Sequence, residues 1–156
     1  MNAKRTYYRC VYGGLTSLAL FGVGNGIVRG SQLESGCKQS ATVVVLSWPA
    51  DRYPNIRAHH KATLNGTGST GRKWPSVYKL NREGANQRRA KLMRMSGMPT
   101  KPGMDRDEQP PAFGRSTWRA DLAYVPSREN RSHGASMGGK LRGYCDGTRF
   151  RFRWTS

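Results

Sequence analysis

The sequence predicts a small α+β domain. Stretches of strand and helix character alternate along its 156 residues. A β-branched run near residue 44 and a period-two run at the C-terminus read as strands, while 19 glycines and eight prolines leave little room for long helices. The length suits a single domain with its own core. Hydrophobic residues make up a lean 36%, yet four Trp, seven Tyr and four Phe argue against wholesale disorder. No internal repeat is present, and no stretch reaches the length of a membrane-spanning helix.

Residues 1–40 read as a leader and 41–156 as the folded domain. In the leader, Lys4, Arg5 and Arg9 precede GGLTSLALFGVG (13–24), the order of a secretory signal peptide. The run is glycine-rich and lacks an Ala-x-Ala site, so a plain leader is the other reading. Residues 27–40 are polar and serve as a linker. ATVVVLSW (41–48) is a buried strand ended by Pro49. A short helix follows over 54–64, with Ile56 and Leu64 inward and Gly66 stopping it. NGTGSTGRK (65–73) is a loop and PSVYKL (75–80) a second strand.

Asn81 suits the cap of a helix through NREGANQRRAKLMRM (81–95). Its apolar positions Ala85, Ala90, Leu92, Met93 and Met95 form an uneven stripe, so packing is shallow and the methionines fill core. PTKPGMDRDEQPPA (99–112) has the proline punctuation of a rigid loop. ADLAYVP (120–126) alternates as a strand does, and SRENRSHGASMGGKLRGY (127–144) is a short helix with loose ends. DGTRFRFRW (146–154) closes the chain as a strand opened by an Asp146-Gly147 turn. There Phe150, Phe152 and Trp154 share one face, and Arg149, Arg151 and Arg153 the other.

The formal charge of +18 calls for a polyanionic partner, with nucleic acid the commonest. A cationic surface kept for solubility or for anionic membrane is the plainer reading, but no strong amphipathic helix supports membrane activity. The arginine row would track phosphates or protect a sheet edge. Cys10, Cys37 and Cys145 match no metal-ligand spacing. Removal of a signal peptide of about 25 residues would leave Cys37 and Cys145 as the one pair in an oxidising compartment. Neighbouring first and last strands would bring those thiols together.

Only nine Asp and Glu face 27 Lys and Arg, yet Asp105, Asp107 and Glu108 fall within four residues. Carboxylates packed so densely raise one another's pKa, and a site that holds a hard cation or takes a proton has a use for that. Ion pairs with Arg106 and Arg131 explain them equally well. A strand leading into a helix at Glu129 and Asn130 would bring these oxygens toward the acidic run. His59 and His60 face different ways on their helix and have no evident partner, which favours a surface or helix-end role. His133, three residues past Asn130, is better placed. Cys145 has no paired base and is structural.

From about residue 43 onward the chain resembles the NucA/NucB deoxyribonucleases of bacterial DNA entry and sporulation. The resemblance rests on WPADRYP (48–54), the PSV strand, NREGANQRR (81–89), PTKPGMDRDEQPPA, VPSRENRSHG (125–134) and YCDGTRF (144–150), in family order. It implies a ββα-metal nuclease core in which Asp107 is the general base, with Glu108 and Asp105 as support or ligands. Glu129 and Asn130 become metal ligands, Arg131 a phosphate clamp, and His133 a leaving-group acid or DNA contact. Arg106, Arg149, Arg151 and Arg153 would bind DNA. The implied cofactor is Mg²⁺ or Mn²⁺, with Ca²⁺ a third option. The implied activity is a metal-dependent, largely sequence-nonspecific endodeoxyribonuclease on double-stranded DNA, exported as a monomer, with an inhibitor or immunity protein as a further partner. A non-catalytic basic nucleic-acid-binding protein is the alternative. Two departures stand out: Gln109 where the family carries an aromatic, expected to loosen packing behind the acids, and GRSTW (114–118) where it carries Gly-Gly.

Overall fold

The computed structural model describes residues 36–114 and 119–156. The signal-peptide reading, Cys10 and most of the GRSTW segment lie outside the described residues. In chain order the elements are β1 (Val44–Pro49), α1 (Pro54–Asn65), β2 (Val77–Lys79), α2 (Ala85–Met95), β3 (Met104–Gln109), a 3-10 turn (Ala112–Gly114), β4 (Asp121–Pro126), α3 (Ser127–Leu141) and β5 (Arg149–Thr155).

The domain is α+β, as predicted, and its strands form two sheets, one mixed and one antiparallel. In the first, the C-terminal strand β5 sits centrally, parallel to β1 and antiparallel to β2. Its alternation decides the core: Phe150 and Phe152 are buried, while Arg149, Arg151 and Arg153 are exposed. Leu46, Trp48, Tyr53, Ile56, Tyr78, Val125, Met137 and Leu141 pack with those phenylalanines. The second sheet is the antiparallel pair β3–β4, with Asp107 opposite Ala123. Helix α1 lies between the sheets. The His60 ring meets Phe152 and Tyr78 of the first, and His59 meets Asp107 and Asp121 of the second. A smaller cluster of Leu92, Ala120 and Leu122, flanked by Met93 and Met98, seats α2, and Met95 is left 56% exposed.

Three boundaries differ from expectation. The acidic segment is strand β3 rather than a rigid loop, because its prolines flank the 104–109 core and leave those residues free to pair with β4. Gly84, in the left-handed region at φ 68°, occupies the N-cap position of α2 in place of Asn81, whose N–H donates to the Phe113 carbonyl. Helix α3 starts directly off β4 and runs 15 residues, so β3, β4 and α3 form a continuous ββα unit.

Cys37 and Cys145 form a disulfide with Cα atoms 5.0 Å apart, closing a sequence separation of 108. The parallel pairing of β1 with β5 brings them together, and Lys38 bonds to the Gly143 carbonyl beside the bridge. Closing a loop of this length stabilises by about 4.7 kcal/mol in the chain-entropy account. Among the described residues, no helix is long and apolar enough to cross a membrane.

Candidate active site

The pleat of β3 sorts the acidic run by face. Asp105 and Asp107 turn toward α3 and α1, and Arg106 and Glu108 turn toward α2. Glu108 is ion-paired with Arg89 of α2, and Arg106 donates to the Met98 carbonyl at 2.8 Å. Arg106 is thereby committed to the protein's own backbone.

Asp105 is gathered by the start of α3. Ser127 Oγ donates to it at 2.7 Å, Arg131 donates from Nε and a terminal nitrogen at 3.1 and 3.2 Å, and Asn130 Nδ2 lies at 3.4 Å. The Arg131 bonds foremost, aided by those of Ser127 and Asn130, hold this carboxyl below its usual range. Asp107 is buried. Its Oδ2 lies 2.7 Å from His59 Nδ1 and 3.4 Å from Gln109 Nε2. Gln109 is fully enclosed beside Asp107.

A cavity of about 410 Å³ is bordered by Asp105, Asp107, Glu108, Arg89, Asn130, Arg131 and His133. Six of the residues singled out in the sequence therefore meet in one place. Four do not. Arg106 is tied to Met98, and the row of Arg149, Arg151 and Arg153 covers the outer face of the first sheet. Phe150 and Phe152 alternate with that row and face the helices, so the guanidinium groups point away from Asp107.

Glu129 has its own task. Its Oε1 accepts from the backbone N–H groups of Asn55 and Ile56 at 2.8 and 2.9 Å, and its Oε2 from Asn55 Nδ2 at 2.7 Å. Helix α1 has no side-chain cap and no acid in its first turn, so its open N–H groups draw this carboxylate from α3. Glu129 borders a separate hollow with Arg52, Tyr53 and Arg128.

His133 is 2% exposed, enclosed by Trp48, Tyr53, Phe152 and Trp154. Burial pulls it down to about 4, so the ring is neutral near pH 7. His60 behaves alike: burial, then the neighbouring His59, lowers it to about 4, and its Nδ1 accepts from Trp154 Nε1 at 3.1 Å. His59 differs. Burial alone would lower it, but its bonds to Asp107 and Asp121 outweigh that and hold it above 6.5.

His59, Asp121 and Arg89 are the site groups that sequence reasoning missed. Adjacent helical residues do face different ways, but here both ways are inward because α1 is sandwiched. A signal existed: Ile56, His59, His60 and Thr63 follow the i, i+3, i+4, i+7 spacing of a buried stripe, broad enough to place His59 and His60 on its two sides. Asp121 carried none, since its role depends on the 65–73 loop folding back onto it.

The donors at the cavity are oxygens, which suits a hard cation. Among the described residues no three His, Cys, Asp or Glu converge as a metal cage. The set fits an ion of Mg²⁺ type, which keeps most of its waters and takes one or two protein oxygens beside a phosphate. Asp105 and Asn130 are the residues that would hold it, and Asp105 would have to exchange its Arg131 pair for the ion.

A strand–strand–helix unit facing an acid-lined, arginine-flanked cavity is the arrangement of a ββα-type nuclease. No family model matches the chain. It is 31% identical over 131 residues to the DNA-entry nuclease of Bacillus subtilis (strain 168), a match covering 81% of this chain and 84% of that protein. The chain belongs to the NucA/NucB family of bacterial nucleases.

Proposed function

We propose that the protein is a divalent-metal-dependent, largely sequence-nonspecific endodeoxyribonuclease that acts outside the producing cell. The observation that carries this reading is the buried Asp107 carboxylate bordering a cavity flanked by Arg89 and Arg131, in a chain related to a DNA-entry nuclease. Asp107 takes the proton of the attacking water. A carboxylate takes a proton from water only with difficulty, so it needs that water held in line. A bound Mg²⁺ or Mn²⁺ would acidify that water and offset charge on the phosphate.

Arg131 has a largely exposed side chain, and its pairing with Asp105 leaves it at the cavity mouth to share its charge with an entering phosphate. Glu108 braces Arg89. His133, neutral and enclosed, serves as wall rather than as a charged acid. The disulfide supports export, because such bonds persist in oxidising compartments.

Supercoiled plasmid incubated with protein and Mg²⁺ should be nicked and linearised, and EDTA should stop both. A mobility shift without cutting would replace this reading with non-catalytic binding.

Binding is expected to be mainly electrostatic. Replacing Arg149, Arg151 and Arg153 by Gln should weaken the affinity of a cleavage-dead form for unrelated sequences uniformly. The salt slope should flatten by up to roughly three phosphate contacts. Since the row faces away from Asp107, kcat on a short duplex should be unchanged. Salt-insensitive affinity, or preference for one sequence, would count against it.

A further inference from the structure

Asp107 ends a buried chain of hydrogen bonds that starts on the far side of α1. The N–H and Oγ1 of Thr70 donate to Asp121 Oδ2 at 2.8 and 3.0 Å. Asp121 Oδ1 lies 3.0 Å from His59 Nε2, and His59 Nδ1 lies 2.7 Å from Asp107 Oδ2. Asp121, His59 and Asp107 are 1%, 5% and 9% exposed. The loop carrying Thr70 comes so close that a Cβ at Gly68 would sit 2.6 Å from the Asp121 carboxyl carbon. Only glycine allows that approach.

We propose that His59, held by Asp121 and the 66–71 loop, is the positioning residue of the reaction, fixing the Asp107 carboxylate with Oδ2 engaged and its other oxygen turned to the cavity. This rests on the reading of Asp107 as base. A carboxylate bonded through one oxygen to a mobile partner would swing and exchange its oxygens. An imidazole pinned at both nitrogens cannot follow it. Between two carboxylates, an imidazole that donates from both nitrogens is cationic, and that charge is what allows two acids to be buried side by side. Apolar residues of similar volume would stabilise the fold at least as well as three buried ionisable groups. Aiming a reacting oxygen gives the arrangement a use that stability does not.

The test compares kcat and KM of His59→Gln, Asp121→Asn and Gly68→Ala on plasmid DNA, with folding checked by circular dichroism. His59→Gln should lower kcat on the order of 10²-fold, the scale of a misplacement of about 1 Å, with KM held. Asp121→Asn and Gly68→Ala, which border no part of the cavity, should lower kcat in the same direction by less. In an Asp107→Asn background, His59→Gln should cost nothing further, because an aimed oxygen no longer exists to be misplaced. Should His59→Gln fail to fold, the other two variants decide. Unchanged kcat in folded His59→Gln or Asp121→Asn, or a full additive loss in the Asp107→Asn background, overturns the proposal while leaving Asp107 as base. Near wild-type cleavage by Asp107→Asn alone would remove the base, and this inference with it.

Discussion

Replacing Asp107 by Asn lowers turnover by at least ~10²-fold, the scale on which a positioned base contributes, and leaves DNA binding intact. The amide keeps the size of the side chain and, with its oxygen toward His59, the 2.7 Å contact. What it loses is the capacity to take a proton. Asp105 cannot substitute, because its oxygens are engaged by Ser127, Asn130 and Arg131. Glu108 is turned to Arg89 on the other face of the strand. Steady-state cleavage of plasmid, with binding measured separately at the same salt, checks this. A variant that cuts at nearly the wild-type rate would remove Asp107 from the mechanism.

The second large effect is a stability maximum near pH 6.5. His60 and His133 are neutral in the fold, lowered by burial to about 4 from an ordinary 6.5. As pH falls from 6.5 to 4 the unfolded chain gains protons that the folded one does not, so stability falls and then levels. Each ring accounts for a loss of about 3 kcal/mol by the end of that window. His59 works in the opposite sense. Its folded pKa is raised, so its contribution is complete below 6.5 and is lost as pH rises through the folded value. Within the acid window it offsets nothing. Carboxylates held low, such as Asp121 and Asp146, add their loss only as pH nears their ordinary 3.8. Urea midpoints between pH 4.5 and pH 8.5 (an interval set by the ordinary His and carboxylate values) should peak near 6.5. His133→Phe, which keeps an aromatic body among Trp48, Tyr53 and Phe152, should remove about half of the acid-side slope. A flat profile from 6.5 down to 4.5 would show that these rings are not buried as neutral groups.

The sequence by itself determined the elements whose code is local. The β-branched run at 43–45, the period-two alternation of 149–154 and the Gly66 stop each specify a backbone state from neighbours alone, and β1, β5 and the end of α1 follow them. The acidic run was legible as a site because three acids in so basic a chain demand a reason. Only the tertiary structure decided what each acid touches. The pleat of β3 sent Asp107 toward α1 and Glu108 toward α2. The orphan N-terminus of α1 drew Glu129 away from the cavity. The outward face of β5 carried its arginines to the side opposite Asp107. Above all, α1 lies between two sheets, so two adjacent histidines are both buried, one among aromatic rings and the other between Asp107 and Asp121. A side chain's direction is local information, but what waits in that direction is supplied by residues 48 and 62 positions away in the chain.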